Sequence, residues 1–211
     1  MNRRFQLFSQ LIKPFSEKSR KRRMKIFAEV MALSPGTRIL DLGGQPGAWR
    51  NVVVPLDLTI LNLPGVAEAS VELPQHRVRY VEGDACNVVQ FDRGDFDILH
   101  SNSVIEHLGP EENQEAFASE VKRLSRRYWV QTSSEWFPIE PHCGMPFWWF
   151  YPEPARQWFI RRWSQQVPRW AEMIAGTRLV TKKRLQSLFP ETSSYVEWSY
   201  GFPKSYVVYQ S

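Results

Sequence analysis

The fold of this chain is decided by one stretch of its sequence, Arg38-Ile39-Leu40-Asp41-Leu42-Gly43-Gly44-Gln45-Pro46-Gly47. Apolar residues flank a single carboxylate, and three glycines follow within five residues. An apolar run that ends abruptly in glycines predicts a buried parallel strand that stops at a tight turn. Glycine allows the backbone of such a turn to approach a ligand and to direct amide N–H groups at it. The carboxylate favours a cationic or hydroxyl-rich ligand over a phosphate; an ordinary turn of a doubly wound protein is the alternative.

The composition bounds the class of protein. The chain has 211 residues, of which 43% are hydrophobic and 23% charged, as expected for one globular domain. It has no apolar run of the roughly 18 residues that a membrane span needs, and its start does not resemble a secretory signal. Two distant cysteines, Cys86 and Cys143, give neither a disulfide framework nor a metal-ligand cluster. We therefore expect a cytoplasmic protein without a metal site.

Positive charge is concentrated near the start of the chain. The net charge is +5, and the first 25 residues hold nine lysines and arginines. Such a block is typical of a surface for nucleic acid, anionic lipid or an anionic substrate. The solvated face of a helix is an equally ordinary explanation, so the charge alone does not identify a partner.

The order of the predicted elements indicates an α/β sheet behind an N-terminal helix. Residues 5–15 form an apolar-periodic stretch that stops near Pro14, and residues 19–33 are predicted to be a helix that ends at Ser34-Pro35-Gly36. Helices follow at 111–124 and 182–189. Further strands are predicted at 56–63, 78–81, 126–132, 195–200 and 205–209 and at the start of 96–108, and residues 201–204 join the last two strands.

Residues 133–154, here called the aromatic loop, interrupt this regular pattern. Five prolines exclude a regular helix or a central strand. Residues 156–175 then mix aromatic residues with arginines at helical spacing, which predicts one helix or a broken pair. These helices either pack over the aromatic loop with their arginines outside, which we favour, or meet anionic lipid.

Three segments resemble the motifs of class I S-adenosylmethionine-dependent methyltransferases. They are the stretch 38–47, the Glu82-Gly83-Asp84-Ala85 step after the third strand, and Phe96–Leu108 with its Val-Ile-Glu-His-Leu turn. The Phe-Pro-Ile-Glu-Pro-His step of the aromatic loop is similar to members found among surface-polysaccharide methyltransferases. The resemblance implies a Rossmann-like, seven-stranded, mostly parallel sheet with an antiparallel last strand and helices on both faces. We expect one domain over residues 1–211, with 1–34 as a basic helical cover and 133–176 as an aromatic and basic lid after strand 5.

The resemblance also implies that the cofactor is S-adenosyl-L-methionine and assigns its contacts residue by residue. Two departures from the family pattern are Gln45, where many members have glycine, and Asn62, where an acidic residue is usual. The expected contacts are Asp41, Gly43, Gly44, Gln45 and Gly47 with the amino-acid end, Asn62 with the ribose, Asp84 and Ala85 with adenine, and Ser101, Asn102 and Ser103 with the reactive arm. Leu63 is expected to be a further cofactor contact.

Two histidines are the candidate catalytic residues. His142, in the aromatic loop, is the first candidate for the base that accepts a hydroxyl proton, and His107 is the second. Either could instead be a packed, hydrogen-bonded side chain. We therefore expect methyl transfer, favouring oxygen, to a small-molecule or glycan- or lipid-linked acceptor. An RNA methyltransferase and a non-catalytic cofactor-binding scaffold are the alternatives, and peripheral contact with the inner membrane face stays open.

Overall fold

The centre of the protein is a seven-stranded sheet. The computed structural model describes residues 3–66 and 71–211, with side chains from residue 17 onward. The strands run in the spatial order β3-β2-β1-β4-β5-β7-β6, and β7 is antiparallel to both of its neighbours. The predicted fold class is therefore confirmed. The strands are β1 (Thr37–Leu42), β2 (Leu56–Asn62), β3 (Arg77–Glu82), β4 (Ile98–Asn102), β5 (Tyr128–Ser133), β6 (Ser193–Ser199) and β7 (Phe202–Gln210).

Alternation along β1 divides the core between the two faces of the sheet. Ile39 faces one apolar cluster, whereas Leu40 and Leu42 face the other. Because side chains alternate along a strand, Asp41 shares the face of Ile39. The cluster on the Ile39 face includes Trp49, which lies in a short 3-10 helix spanning Pro46–Asn51.

Helices cover both faces. They are α1 (Arg3–Val30), α2 (Glu111–Leu124), α3 (Glu153–Ser164), α4 (Pro168–Gly176) and α5 (Lys182–Leu188). α1 packs on the Ile39 face through Met24 and Phe27, whereas α2 and α5 pack on the opposite face. The predicted stop near Pro14 is wrong, because α1 continues through this position. Proline in a helix interior removes one hydrogen bond and introduces a clash, a cost that a long helix can tolerate.

The last two strands are joined by a tighter turn than predicted. Only Tyr200 and Gly201 connect β6 to β7, and both have positive φ angles, 52° and 79°. Two left-handed residues are typical of a two-residue hairpin turn. The prediction that 201–204 joins the strands is therefore wrong. Pro203 lies within β7, opposite Trp198, where the register shifts, and a proline is tolerated at such an irregularity.

The aromatic loop has little regular structure, as its prolines predict. It contains one isolated bridge between Ile139 and Pro146 and ends in a 3-10 turn at Trp148–Phe150. The helix predicted at 156–175 is a broken pair, α3 and α4, which packs over this loop around Trp148. The arginines at 161, 162 and 169 are exposed, in agreement with the packed arrangement. No helix in the described part of the chain is long and apolar enough to cross a membrane.

Candidate active site

A cavity of about 600 Å³ opens at the carboxyl ends of the parallel strands. Open α/β sheets bind their ligands at this edge, and the volume is within the usual range for small-molecule sites. The tips of β1, β2 and β4 contribute to the cavity wall, together with the glycine turn and both candidate histidines. The motifs that the sequence analysis singled out therefore meet at one place.

The glycine turn lies against two fixed side chains. Gly43 has a φ of 68°, and a Cβ built on it would lie 2.4 Å from Val104 Cγ2. A Cβ built on Gly44 would lie 1.9 Å from Asp41 Oδ2. Gln45 follows on the cavity wall and is exposed. The turn thus needs glycine at both positions and presents bare backbone at the cavity.

Asp41 is the buried floor beneath this turn. Its Oδ2 accepts a hydrogen bond from Trp49 Nε1 at 2.7 Å, and its Oδ1 accepts one from His100 Nδ1, also at 2.7 Å. Because Nδ1 of His100 donates, Nε2 carries a lone pair in the neutral ring. Nε2 is buried and has no hydrogen-bond partner among the described residues, although the ring lines the cavity. The base of the cavity therefore holds a buried carboxylate with both oxygens hydrogen-bonded and, beside it, one buried ring nitrogen without a partner among the described residues.

The tips of β2 and β3 place two further predicted contacts on the wall. Asn62 Nδ2 donates to the carbonyl of Gly44 at 3.1 Å, which leaves its Oδ1 as the acceptor end of the amide. Leu63 lies beside it. Asp84 and Ala85 also line the cavity, and Asp84 Oδ1 accepts the N–H of Cys86 at 2.8 Å. Asp84 thus caps the turn after β3 and also lies on the cavity wall.

The remaining predicted contacts divide into two pairs. Asn102 and Ser103 line the cavity, and Asn102 Oδ1 accepts a hydrogen bond from Arg23 at 2.8 Å. Ser101 is a buried residue of β4, outside the cavity lining, and its hydroxyl donates to the carbonyl of Leu42 at 3.1 Å. Gly47 lies in the 3-10 helix, outside the residues that line the cavity.

The two candidate histidines contact each other on the cavity wall. The Nε2 atoms of His107 and His142 are 3.0 Å apart, although the residues are 35 positions apart in the chain. His142 Nδ1 lies 2.5 Å from Oε1 of Glu140, and the other oxygen of Glu140 accepts from Trp149 Nε1 at 2.6 Å. His107 comes from the 3-10 turn after β4, whereas the aromatic loop supplies His142 and Glu140. The pair exists only because the loop folds back over the sheet edge.

Hydrogen-bond geometry assigns the tautomers of this pair. The Thr177 hydroxyl donates to the carbonyl of Met173 at 2.9 Å, so it can only accept from His107 Nδ1, 3.3 Å away. The lone pair of neutral His107 is then on Nε2, facing His142. Glu140 likewise holds a proton on Nδ1 of His142. The two Nε2 atoms can therefore approach only with a proton or another cation between them.

The pKa values of Glu106, His107 and His142 depend on burial and on the charged groups that face each side chain. Burial lowers the pKa of His107 to about 4, and the charge of His142 acts in the same direction. Burial also lowers the pKa of His142, but the hydrogen bond to Glu140 and the charges of Glu140 and Glu106 outweigh it, so the pKa lies above its ordinary value. Burial raises the pKa of Glu106. The shared proton thus belongs to His142.

Sequence reasoning missed several residues of the site. Arg20 and Met173 reach the cavity from α1 and α4, and no local pattern connects those helices with the sheet edge. Glu106 and Thr177 lie beside the histidine pair, where Thr132 donates to Glu106 Oε2 at 3.0 Å. Glu106 and His100 both lie within Phe96–Leu108, the third of the segments that resemble methyltransferase motifs, so a carboxylate and a histidine in that segment were the available signals.

The comparisons with known proteins agree with this geometry. Residues 41–127 match the family model described as a methyltransferase domain. A comparison with curated protein sequences gives no match.

Solved structures share the fold at low sequence identity. The Haemonchus contortus phosphoethanolamine N-methyltransferase 2 in complex with S-adenosyl-L-methionine has a TM-score of 0.53 and 15% identity, over 83% of this chain and 38% of that one. The CurJ carbon methyltransferase has a TM-score of 0.57 and 11% identity, over 90% of this chain and 53% of that one. An O-methyltransferase family protein from Burkholderia thailandensis has a TM-score of 0.53 and 12% identity, over 95% and 56%.

The chain thus spans between about two fifths and just over half the length of these structures. They comprise an N-, a C- and an O-methyltransferase, so the likeness identifies the fold and leaves the acceptor atom open. The matched residues run from Asp41 in β1 to Arg127, immediately before β5, and include most of the residues that line the cavity. Residues 41–127 of this chain thus match a methyltransferase domain, and solved methyltransferases share the fold around it.

Proposed function

We propose that the protein transfers the methyl group of S-adenosylmethionine to a hydroxyl oxygen of a small-molecule or glycan- or lipid-linked acceptor. The observation that carries the proposal is the His107–His142 pair on the wall of the cofactor cavity. Transfer to a hydroxyl needs a group that takes its proton, and imidazole nitrogens are the commonest such groups. A carboxylate behind a histidine is also the usual way to orient a catalytic imidazole.

The residues around the cavity fit the cofactor. Gly43 and Gly44 line the cavity without side chains, so their backbone is open to close approach by the cofactor. The buried Asp41 carboxylate at the base of the cavity would attract an ammonium group through its negative charge. Asn62 Oδ1 would accept from a ribose hydroxyl, while Asp84 and Ala85 would hold adenine.

The chemistry divides between cofactor and protein. S-Adenosylmethionine supplies an electrophilic methyl group on a sulfonium that leaves as a neutral thioether. The protein has to align the acceptor and, once the pair has lost the proton that its Nε2 atoms share, receive the acceptor's proton at one of these atoms. Glu140 keeps the His142 ring in the orientation that points Nε2 at Nε2 of His107. The aromatic loop and α4, through Met173, cover this side of the cavity and would limit its access to water.

The test separates cofactor binding from transfer. Calorimetry with S-adenosylmethionine should show binding at one site, and mass spectrometry of hydroxylated acceptors incubated with labelled cofactor should show which class gains the methyl group. The variants His142→Gln and His107→Gln should lower kcat by about 10²–10⁴-fold, the usual contribution of a general base. His76→Gln is the matched control, because His76 lies outside the cavity lining.

Each other outcome excludes a part of the proposal. No heat with the cofactor would reject an enzyme of this type, and binding without transfer would favour a scaffold. Methylation of an amine or carbon, unaffected by the histidine variants, would refute the oxygen assignment. A steep salt dependence of RNA binding would favour the nucleic-acid alternative.

A further inference from the structure

We propose that Glu106, His107 and His142 bind one divalent transition-metal ion at the wall of the cofactor cavity. Each residue offers one ligand atom, and these three atoms all lie within 4.8 Å of one another. The inference rests on the proposed function and extends it, since the ion would hold the acceptor hydroxyl. It also departs from the sequence analysis, which expected no metal.

The spacing of the two imidazoles suits a shared ion. Imidazole nitrogens lie about 2.0–2.1 Å from a bound zinc ion. At that bond length, the 3.0 Å between the Nε2 atoms of His107 and His142 corresponds to an angle of about 90° at the ion. This is an ordinary angle between neighbouring ligands. The ion would take the position of the proton that the pair otherwise shares.

Both rings are held in the tautomer that binds metal. The Glu140 carboxylate faces Nδ1 of His142, and the Thr177 hydroxyl faces Nδ1 of His107. Both Nε2 atoms therefore present lone pairs towards the same point. Histidines that ligate metals almost always donate their other N–H to a carboxylate, carbonyl or water, which orients the ring and raises its basicity. The carboxylate–histidine contact at Glu140 is the common form of this support.

Glu106 adds a buried negative charge. Its side chain is only 3% exposed, and it forms no ion pair with lysine or arginine in the described part of the chain. Its hydrogen bonds come from the Thr132 hydroxyl, at 3.0 Å, and from the N–H of Ser133, at 3.4 Å. Burying a carboxylate is costly without a compensating cation. A divalent ion would supply that charge, and the carboxylate would move towards it to complete the site.

The donor set indicates the class of ion and its use. Two imidazoles and one carboxylate suit Zn²⁺ and neighbouring first-row ions rather than Mg²⁺ or Ca²⁺, which prefer oxygen ligands. Three protein ligands leave coordination positions open, and His107 and His142 face the cavity. An acceptor hydroxyl bound there would lose its proton to water more readily, because the ion would stabilise the resulting alkoxide. With the ion bound, the two Nε2 atoms would serve as ligands and no longer as the proton acceptor.

The test uses untagged, chelator-treated protein and Zn²⁺ or Co²⁺ alone. Calorimetry should give one Zn²⁺ per chain, and Co²⁺ should produce an absorption spectrum typical of nitrogen ligands. His107→Ala, His142→Ala and Glu106→Gln should each weaken binding at least 100-fold, whereas His76→Gln should not. Thr177→Val, which removes a supporting acceptor but no ligand, should weaken binding about 10–100-fold. Circular dichroism would establish that each variant folds.

The results distinguish this inference from the proposed function. Absence of one-to-one binding, or binding that the ligand variants do not weaken, would overturn the metal site. If the histidine variants then still abolished transfer to hydroxyls, the pair would act on the proton directly and the proposed function would stand. If the ion bound as predicted but no hydroxyl acceptor was methylated, the proposed function would fail and the metal site would stand.

Discussion

The turn beneath the cofactor cavity provides the sharpest test of the site, through the substitution Gly44→Ala. The new Cβ would lie 1.9 Å from Asp41 Oδ2 and 2.2 Å from Asp41 Cγ. That is about 1.5 Å closer than an ordinary contact between such atoms. The carboxylate has no simple way to withdraw, because Trp49 and His100 hold its two oxygens at 2.7 Å each. Either the turn shifts outward or one of these buried hydrogen bonds breaks.

Both responses have a predictable magnitude. Overpacking of a fixed site costs about 1–3 kcal/mol, and a lost hydrogen bond to a buried charged group costs about as much. We therefore expect Gly44→Ala to lower the free energy of unfolding by about 2–3 kcal/mol. A shifted turn would also misplace its backbone, so affinity for S-adenosylmethionine should fall by about 10–100-fold, which corresponds to roughly 1.4–2.8 kcal/mol.

Urea unfolding and calorimetry with S-adenosylmethionine measure the two effects. Gly47→Ala is the matched control, because it lies three residues away and a Cβ there meets nothing within 4 Å. It should change both quantities little. Wild-type stability and affinity in Gly44→Ala would refute the close packing of this turn on Asp41, and with it the account of the cavity floor.

Three further predictions test other parts of the molecule. Asp41→Asn should lower the free energy of unfolding by about 2 kcal/mol, because an amide cannot accept from two buried donors with both of its ends; unchanged urea midpoints would contradict this. Arg23→Met should lower the free energy of unfolding by about 3 kcal/mol, also measured by urea unfolding, because it leaves the Glu197 carboxylate buried without the Arg23 guanidinium that lies 2.7 Å away. Adding Glu197→Gln should recover part of this loss. Burial raises the pKa of Cys86 to about 11, so the thiolate fraction should rise about tenfold per pH unit from pH 7 to 10. The rate of alkylation by iodoacetamide, measured by mass spectrometry, should rise with it. A plateau of this rate between pH 7 and 10 would contradict the raised pKa.

Much of the fold followed from local patterns. The bounds of α2 were predicted to the residue, because its apolar spacing and its flanking residues agree. The strands followed from apolar runs with polar or glycine tips. The prediction was wrong near two prolines. α1 continues through Pro14, and β7 begins before Pro203. A proline has a local cost, and the packing around it decides whether the protein tolerates that cost.

The sequence by itself determined the sheet, the glycine turn and the resemblance to methyltransferase motifs, because these depend on periods of two and 3.6 residues and on motifs that are contiguous in the chain. Only the tertiary structure decided that His107 and His142 meet at 3.0 Å and that Glu140 and Thr177 hold their opposite nitrogens. It also decided that Asp41 is shared between Trp49 and His100. The physical reason is that such contacts join residues from different elements. Their distances depend on how the aromatic loop and the 3-10 turns fold against the sheet edge, and no local pattern encodes that arrangement.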